Sequence, residues 1–115
     1  MVAKGELFPA VSAMDQQGRS VDVGYFNQRS HVILISTPNA LEAELAALKA
    51  EVKSRQKTWD WLHAIILFTS EPFDFLSSGA YAIDRYGRFI DFFPITPDVW
   101  DLLEKEFIYH EARHC

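Results

Sequence analysis

The sequence contains a single cysteine in 115 residues, and that residue, Cys115, comes last. A chain with one cysteine forms no internal disulfide, which excludes a disulfide-stabilised fold and an internal dithiol redox pair. A disulfide shared between two copies is still open. Cys115 is therefore a candidate redox thiol, and the alternative is a chain end without a role.

Long apolar runs and basic runs are also missing. The longest apolar stretch, residues 64–68, is far shorter than the roughly 20 residues that cross a bilayer. Residues 1–15 lack the apolar centre of a signal peptide. The net charge is -5, and no run of Lys and Arg is interleaved with aromatic residues. We therefore expect a cytoplasmic protein with no membrane or nucleic-acid partner.

Linkers and low-complexity segments are absent as well. Apolar residues make up 49% of the chain and include nine Phe, four Tyr and three Trp, which is enough for an aromatic-rich core. A length of 115 residues suits one compact unit. We expect residues 1–115 to form a single domain.

A turn motif occurs twice, as DQQGR at residues 15–19 and as DRYGR at residues 84–88. Asp favours the first position of a type I turn, and Gly accepts the positive φ of the fourth. Each motif lies between apolar-rich segments, so both predict β-hairpins. The first hairpin is expected to pair residues 10–14 with residues 20–23.

Apolar runs at residues 31–37 and 62–70 predict two buried strands. A helix is predicted between them, with one apolar stripe made of Leu41, Leu45, Leu48 and Val52. Asn39 is the expected cap, with Glu42 completing a capping box. A final helix is predicted to open at Thr96 and Pro97, with apolar positions Val99, Leu102, Leu103 and Phe107.

The order of these elements predicts an α/β fold with a mixed sheet. Two strands joined by a helix are parallel, and two strands joined by a tight turn are antiparallel. The side chains expected to be buried together are Leu45, Leu48, Ile33, Ile35, Ile66 and Ile83.

Three segments resemble the peroxiredoxin and thiol-specific antioxidant (redoxin) branch of the thioredoxin superfamily. LFPAVSAMDQQGRSVDVGYFNQRSHVILIST, residues 7–37, resembles the opening of that family, and GAYAIDRYGRFIDFFP, residues 79–94, resembles its second hairpin. EAELAAL, residues 42–48, is similar to the helix that follows the family's active site. The resemblance implies a small thioredoxin-like fold with an N-terminal β-hairpin and a mixed sheet flanked by helices.

The chemical groups of the family's active site are replaced. By the resemblance, the peroxidatic cysteine falls at Leu41, and the hydroxyl that binds peroxide falls near Pro38. The family's Arg before the third core strand is replaced by Ser77 and Ser78. Peroxide reduction needs a thiolate whose pKa is lowered by a helix N-terminus and a nearby cation. The resemblance therefore implies a domain that is not a thiol peroxidase and holds no cofactor.

The link EPFDFLSSG, residues 71–79, has room for about one turn where the family has a helix. One face of the sheet is then thinly covered. We expect a homodimer that covers it, with Phe73, Phe75 and Trp100 as interface candidates. The alternative is that Phe73 and Phe75 fold back within one chain.

Two further sets of residues invite a chemical interpretation. His110 and His114 are four residues apart and adjoin Cys115, a spacing that can chelate zinc, although an amphipathic helix end explains them equally. Asp84 and Arg85 have a simpler explanation, the hairpin turn for Asp84 and surface exposure for Arg85.

The function that follows is a noncatalytic module that binds a protein partner or a second copy of itself. One alternative is a thiol oxidoreductase that uses Cys115, across a dimer. Another is a small-ligand binder in which Trp59, Trp61 and Trp100 line a groove, although aromatic residues are more often core or interface. The reactivity of Cys115, the mass in solution and the presence of an aromatic pocket separate the three.

Overall fold

Six strands form one mixed sheet in the computed structural model, which describes residues 2–114 and the side chains of residues 2–111. In chain order they are β1 (Ser12–Met14), β2 (Ser20–Asp22), β3 (His31–Ser36), β4 (Ala64–Thr69), β5 (Gly79–Ile83) and β6 (Phe89–Phe93). Across the sheet the order is β2-β1-β4-β3-β5-β6. β3 and β4 are parallel and the other neighbours are antiparallel, which confirms the predicted mixed sheet.

Both Asp-x-x-Gly-Arg motifs form hairpin turns of the same construction. Asp84 Oδ1 accepts hydrogen bonds from the backbone N–H groups of Tyr86, at 2.9 Å, and Arg88, at 3.0 Å. Asp15 Oδ1 accepts the equivalent pair, each at 2.9 Å. Gly87 has a φ of 81°, a conformation that only glycine adopts without steric cost. Local sequence chemistry therefore accounts for both turns.

Two consecutive helices, α1 (Glu42–Ser54) and α2 (Gln56–Leu62), cross from β3 to β4. The predicted cap at Asn39 is wrong, because Leu41 is the residue that precedes the first turn of α1. Glu44 Oε1 accepts the backbone N–H of Leu41 at 3.3 Å, so a glutamate still satisfies one free donor of the helix start.

The last helix, α3 (Val99–His114), begins two residues after the predicted first position, Pro97. The Thr96 hydroxyl hydrogen-bonds the Asp98 carboxylate, and the Asp98 carbonyl accepts the N–H of Leu102 at 3.1 Å. Three of its four predicted apolar positions are buried, but Leu102 is exposed. Along the described chain, no helix is long and apolar enough to cross a membrane.

Both faces of the sheet are covered, so successive side chains of β3 and β4 enter two different cores. The helix-side core lies beneath the helices and includes Ile33, Ile35, Ile66, Trp59, Trp100, Leu103 and Phe107. The loop-side core lies on the opposite face and includes Val32, Leu34, Leu67, Tyr81 and Ile83.

Ile83 corrects the expected core. It was expected beside the isoleucines of β3 and β4, but it pairs with Val32, and directly paired residues share one face of a sheet. Leu45 and Leu48 are half-buried against the helix-side core. Leu41 is 69% exposed and does not belong to the apolar stripe, because it precedes the helix.

The link between β4 and β5, residues 70–78, contains turns and bends and no helix, which confirms the shortened link. The rings of Phe73 and Phe75 lie 5.5 Å apart and pack, half-buried, against the loop-side core. Leu76 is 8% exposed in the same cluster. These apolar side chains cover part of the face that a helix would otherwise cover.

Candidate functional site

The fold brings the positions implied by the resemblance to one end of the sheet. The last residue of β3 is paired with the first residue of β5, so the segments that follow β3 and precede β5 lie side by side. We call Pro38, Leu41, Ser77 and Ser78 the vacated site.

Leu41 stands at the N-terminal end of α1, immediately before the first helical residue, and is 69% exposed. A helix N-terminus stabilises negative charge and lowers the pKa of a thiol placed there. Leucine has no ionisable group, so the helix end has no thiolate to stabilise. Glu42 and Glu44 occupy the first turn and supply the negative charge that favours this end of the helix.

Ser77 and Ser78 are exposed at the other side of the vacated site. The Ser77 backbone N–H donates a hydrogen bond to the Tyr81 hydroxyl at 2.6 Å, which ties the link to β5. Serine carries no charge, so the vacated site lacks the cation as well as the thiol. These four residues therefore include no cysteine and no Lys or Arg.

Two buried hydroxyls directly precede Pro38. Ser36 is 0% exposed and Thr37 is 5% exposed, and neither hydroxyl has a hydrogen-bond partner among the described residues. The Thr37 backbone N–H donates to the Thr69 carbonyl at 2.9 Å, which extends the parallel ladder past the end of β3. This end of the strand is polar, whereas the residues between His31 and Ser36 are apolar.

His31, Arg85 and Glu111 form a cluster, here called the His31 cluster, that sequence reasoning missed. His31 begins β3 and is 1% exposed, and its Nε2 is hydrogen-bonded to Glu111 Oε1. The Arg85 guanidinium donates to the same carboxylate oxygen. The cluster therefore ties α3 to the start of β3 and to the second hairpin turn. The sequence held one signal, a histidine at the head of an apolar strand.

The His31 cluster shifts two ionisation equilibria. Burial lowers the pKa of His31 below 6.5, and this outweighs the opposing effect of the Glu111 carboxylate. The hydrogen bond from His31 lowers the pKa of Glu111 below 4.5, and Arg85 contributes in the same direction. A neutral imidazole that donates its Nε2–H to an ionised carboxylate is consistent with both shifts.

Arg85 corrects an expectation, because its ion pair with Glu111 gives it a role beyond surface exposure. Asp84 is explained by its turn, as predicted, and its second oxygen, Oδ2, lies 3.7 Å from His110 Nε2. The ring of His110 also lies 5.9 Å from that of His31.

The zinc hypothesis depends largely on residues outside the described side chains, namely His114 and Cys115. It stays a prediction, as does a redox role for Cys115. Among the side chains that are described, no group of three or more His, Cys, Asp or Glu is placed to hold a metal ion.

The tryptophans do not line a common groove. Trp59 and Trp100 are 0% and 3% exposed and meet edge to face with centroids 6.3 Å apart in the helix-side core. Trp61 is 70% exposed. Trp100 is also unsuited to the interface expected of it, because the chain itself buries nearly all of its surface. Phe73 and Phe75 are half-buried, which follows the alternative in which they fold back.

Comparison with known proteins supports the fold. No family model matches the sequence, and no curated protein matches it. Among solved structures, a cysteine mutant of PrxQ from Xylella fastidiosa aligns with a TM-score of 0.73 at 7% identity over 96% of this chain and 98% of that one. The reduced 2-Cys peroxiredoxin of Plasmodium vivax aligns with a TM-score of 0.69 at 11% identity over 97% of each chain.

The thioredoxin domain of a thiol-disulfide oxidoreductase from Bacteroides vulgatus is also similar, with a TM-score of 0.54 at 13% identity over 91% of this chain and 98% of that one. At sequence identities this low, structural similarity shows the arrangement of the backbone and does not show the activity. The chain therefore has the small thioredoxin-like fold of the peroxiredoxins and thiol-disulfide oxidoreductases.

Proposed function

We propose that this thioredoxin-like domain is noncatalytic and acts as an interaction module that binds a protein partner or a second copy of itself. One observation carries the proposal. Leu41, an exposed leucine, stands at the helix N-terminus where the resemblance expects the peroxidatic cysteine.

The proposal gains support from the rest of the vacated site. A reactive thiolate needs both a nucleophilic sulfur and a positive environment that holds it ionised. Leu41 replaces the sulfur, uncharged Ser77 and Ser78 replace the cation, and Glu42 and Glu44 add negative charge to the first turn of α1. Restoring a thiol alone would therefore place it beside two carboxylates.

Exposed apolar side chains support a binding role. Trp61 is 70% exposed and Leu41 is 69% exposed. Single exposed leucines are common on soluble proteins, but tryptophan is strongly enriched where proteins bind one another. A surface tryptophan on α2 and a leucine in place of a nucleophile fit a domain that uses its surface for contact.

The first experiment measures hydrogen peroxide consumption with a thioredoxin reducing system, in the wild type and in Cys115→Ser. The proposal expects both proteins to match the buffer control. Turnover by the wild type that Cys115→Ser abolishes would establish the alternative, a thiol oxidoreductase that uses the terminal cysteine. If Cys115→Ser still consumes peroxide, the domain is catalytic by a mechanism that needs no thiol, and the proposal is refuted.

The second experiment measures mass in solution by light scattering at micromolar concentration. The self-association form of the proposal expects about twice the 13.2 kDa of one chain. A mass of one chain at every concentration tested would refute self-association. The interaction role would then depend on a different protein partner.

A further inference from the structure

An open groove of about 470 Å³ runs between α1 and the segment that leads into α3. Its apolar lining consists of Ala47, Leu48, Ile95, Pro97 and the small exposed part of Trp100. The size falls within the range of about 300–1,000 Å³ that is usual for binding sites. The groove therefore has room for one or two large apolar side chains of another molecule.

The rim of the groove is acidic. Glu44 and Glu51 line it from α1 and are both exposed. They are seven residues apart, which places them on one helix face about 10 Å from one another along the axis. No Lys or Arg is among the described residues of the lining. An apolar floor between two carboxylates is complementary to an apolar side chain flanked by cations.

One basic side chain next to the groove, Arg55, pairs with Glu51 at the rim as well as with two carboxylates of α3. Arg55 contacts Asp101 at 2.9 Å and Glu104 at 3.0 Å, and lies 3.7 Å from Glu51. Lys49 lies over the ring of Phe68, 5.5 Å from its centroid. The contact described for the Glu44 carboxylate is a hydrogen bond from the uncharged backbone N–H of Leu41. The groove therefore retains negative charge at the Glu44 end.

We infer that this groove binds a basic amphipathic segment of a partner protein. The inference rests on the proposed interaction role and names the chemistry of the partner. Apolar side chains enter the groove, one Lys or Arg meets Glu44, and a second competes with Arg55 for Glu51. A helix suits the site because its side chains recur at three, four and seven residues. That spacing matches Glu44, Ala47, Leu48 and Glu51, which line the groove along α1.

The test measures binding of a fluorescein-labelled peptide by fluorescence anisotropy. The probe is a synthetic helix of about 18 residues, a length at which an isolated helix can form, with leucines on one face and lysines flanking them. A second peptide replaces each lysine by glutamate, and a third replaces each leucine by serine. The first peptide is expected to bind about tenfold tighter than either of the others, because both charge and apolar burial are needed.

Matched variants of the protein locate the site. Ala47→Trp fills the groove, whereas Ala46→Trp places the same side chain about 100° around the axis of α1, at an exposed position outside the groove lining. Only Ala47→Trp is expected to weaken binding, by about tenfold or more. Circular dichroism of both variants shows whether the fold is intact.

The charge effect has its own pair of variants. Glu44→Gln with Glu51→Gln is compared with Glu6→Gln with Glu42→Gln, which removes two exposed charges outside the groove. The groove pair is expected to weaken binding about three- to tenfold more than the control pair. Equal effects would mean nonspecific attraction to an acidic chain and would overturn the inference.

Two other results would also overturn it. One is the absence of peptide binding at 100 µM wild type. The other is a wild-type dimer that Ala47→Trp dissociates, because the occupant would then be a second copy of this chain. Neither result depends on the peroxide assay. Failure of the noncatalytic proposal and failure of the groove inference can therefore be told apart.

Discussion

The His31 cluster predicts that the domain loses stability in mild acid, and His31→Gln is the change that reveals it. The pKa of His31 is lowered below 6.5 in the folded protein, chiefly by burial. The unfolded chain therefore binds a proton on this residue at a higher pH than the folded chain does. The free energy of unfolding must then fall as the pH drops below about 6.5 and stop falling once the folded histidine is also protonated.

The change in the free energy of unfolding with pH has an upper limit, because His31 binds at most one proton. Such a group changes the free energy of unfolding by at most about 1.4 kcal/mol for each pH unit. Glu111 acts in the same direction, but its pKa is lowered from 4.5, so its stabilisation is present above that value and is lost only at lower pH. Asp84 and His110 also face the cluster. The share of His31 in the slope between pH 5.5 and pH 7.5 is the part that His31→Gln removes.

Urea unfolding, followed by tryptophan fluorescence, measures the slope, because Trp59 and Trp100 are buried in the folded state. The side chain of Gln can still donate to Glu111 and does not titrate, so His31→Gln is expected to flatten the slope below pH 6.5. The control is His63→Gln, which changes an exposed histidine outside the cluster. The slope is expected to be flatter in His31→Gln than in this control. The same slope in all three proteins would refute the assignment of a lowered pKa to His31.

Three further predictions concern packing and use the same unfolding measurement. Gly79→Ala is expected to lower the free energy of unfolding by about 2–5 kcal/mol, because φ is 152° and an added Cβ would lie 2.9 Å from the Phe93 carbonyl oxygen. A loss of stability below about 0.5 kcal/mol would contradict this geometry. Leu103→Ala, at a fully buried site, is expected to lower the free energy of unfolding by about 2–5 kcal/mol, and Leu48→Ala, at a half-buried site, by about half as much. The reverse ranking would contradict the position given to the helix-side core. Trp61→Ser is expected to change stability by less than about 0.5 kcal/mol, and a larger loss would mean that this exposed ring packs against the fold.

Features encoded by neighbouring residues could be predicted from the sequence. The turns at Asp15 and Asp84 follow from the bonds that an aspartate makes with backbone N–H groups two and four residues on. The order and type of the strands follow from apolar runs broken by those turns. The helix starts are predicted less accurately. Asn39 is compatible with a cap and Pro97 with a first helical position, but neither decides where the first helical hydrogen bond forms.

Features that depend on pairing between distant segments could not be predicted. Every residue of β5 is buried, so its sequence shows no polar–apolar alternation to indicate which core Ile83 enters. The register with Val32 decides it. His31 and Glu111 are 80 residues apart, and nothing in either local sequence indicates the other. The vacated site could be predicted only through the family resemblance, which matches individual positions of this chain to positions of the family. Local sequence patterns alone do not make that match.

The covered sheet face changes where an interface is expected. The homodimer expectation depended on surface left bare by the short link, but Phe73 and Phe75 already pack on the loop-side core within one chain. Leu41 and Trp61 do not replace that surface as a single patch, because one precedes α1 and the other lies in the last turn of α2. A dimer would therefore need a different contact surface. The groove between α1 and the segment that leads into α3 combines an apolar floor with acidic side chains at its rim. A basic partner segment is therefore a more specific expectation than a dimer.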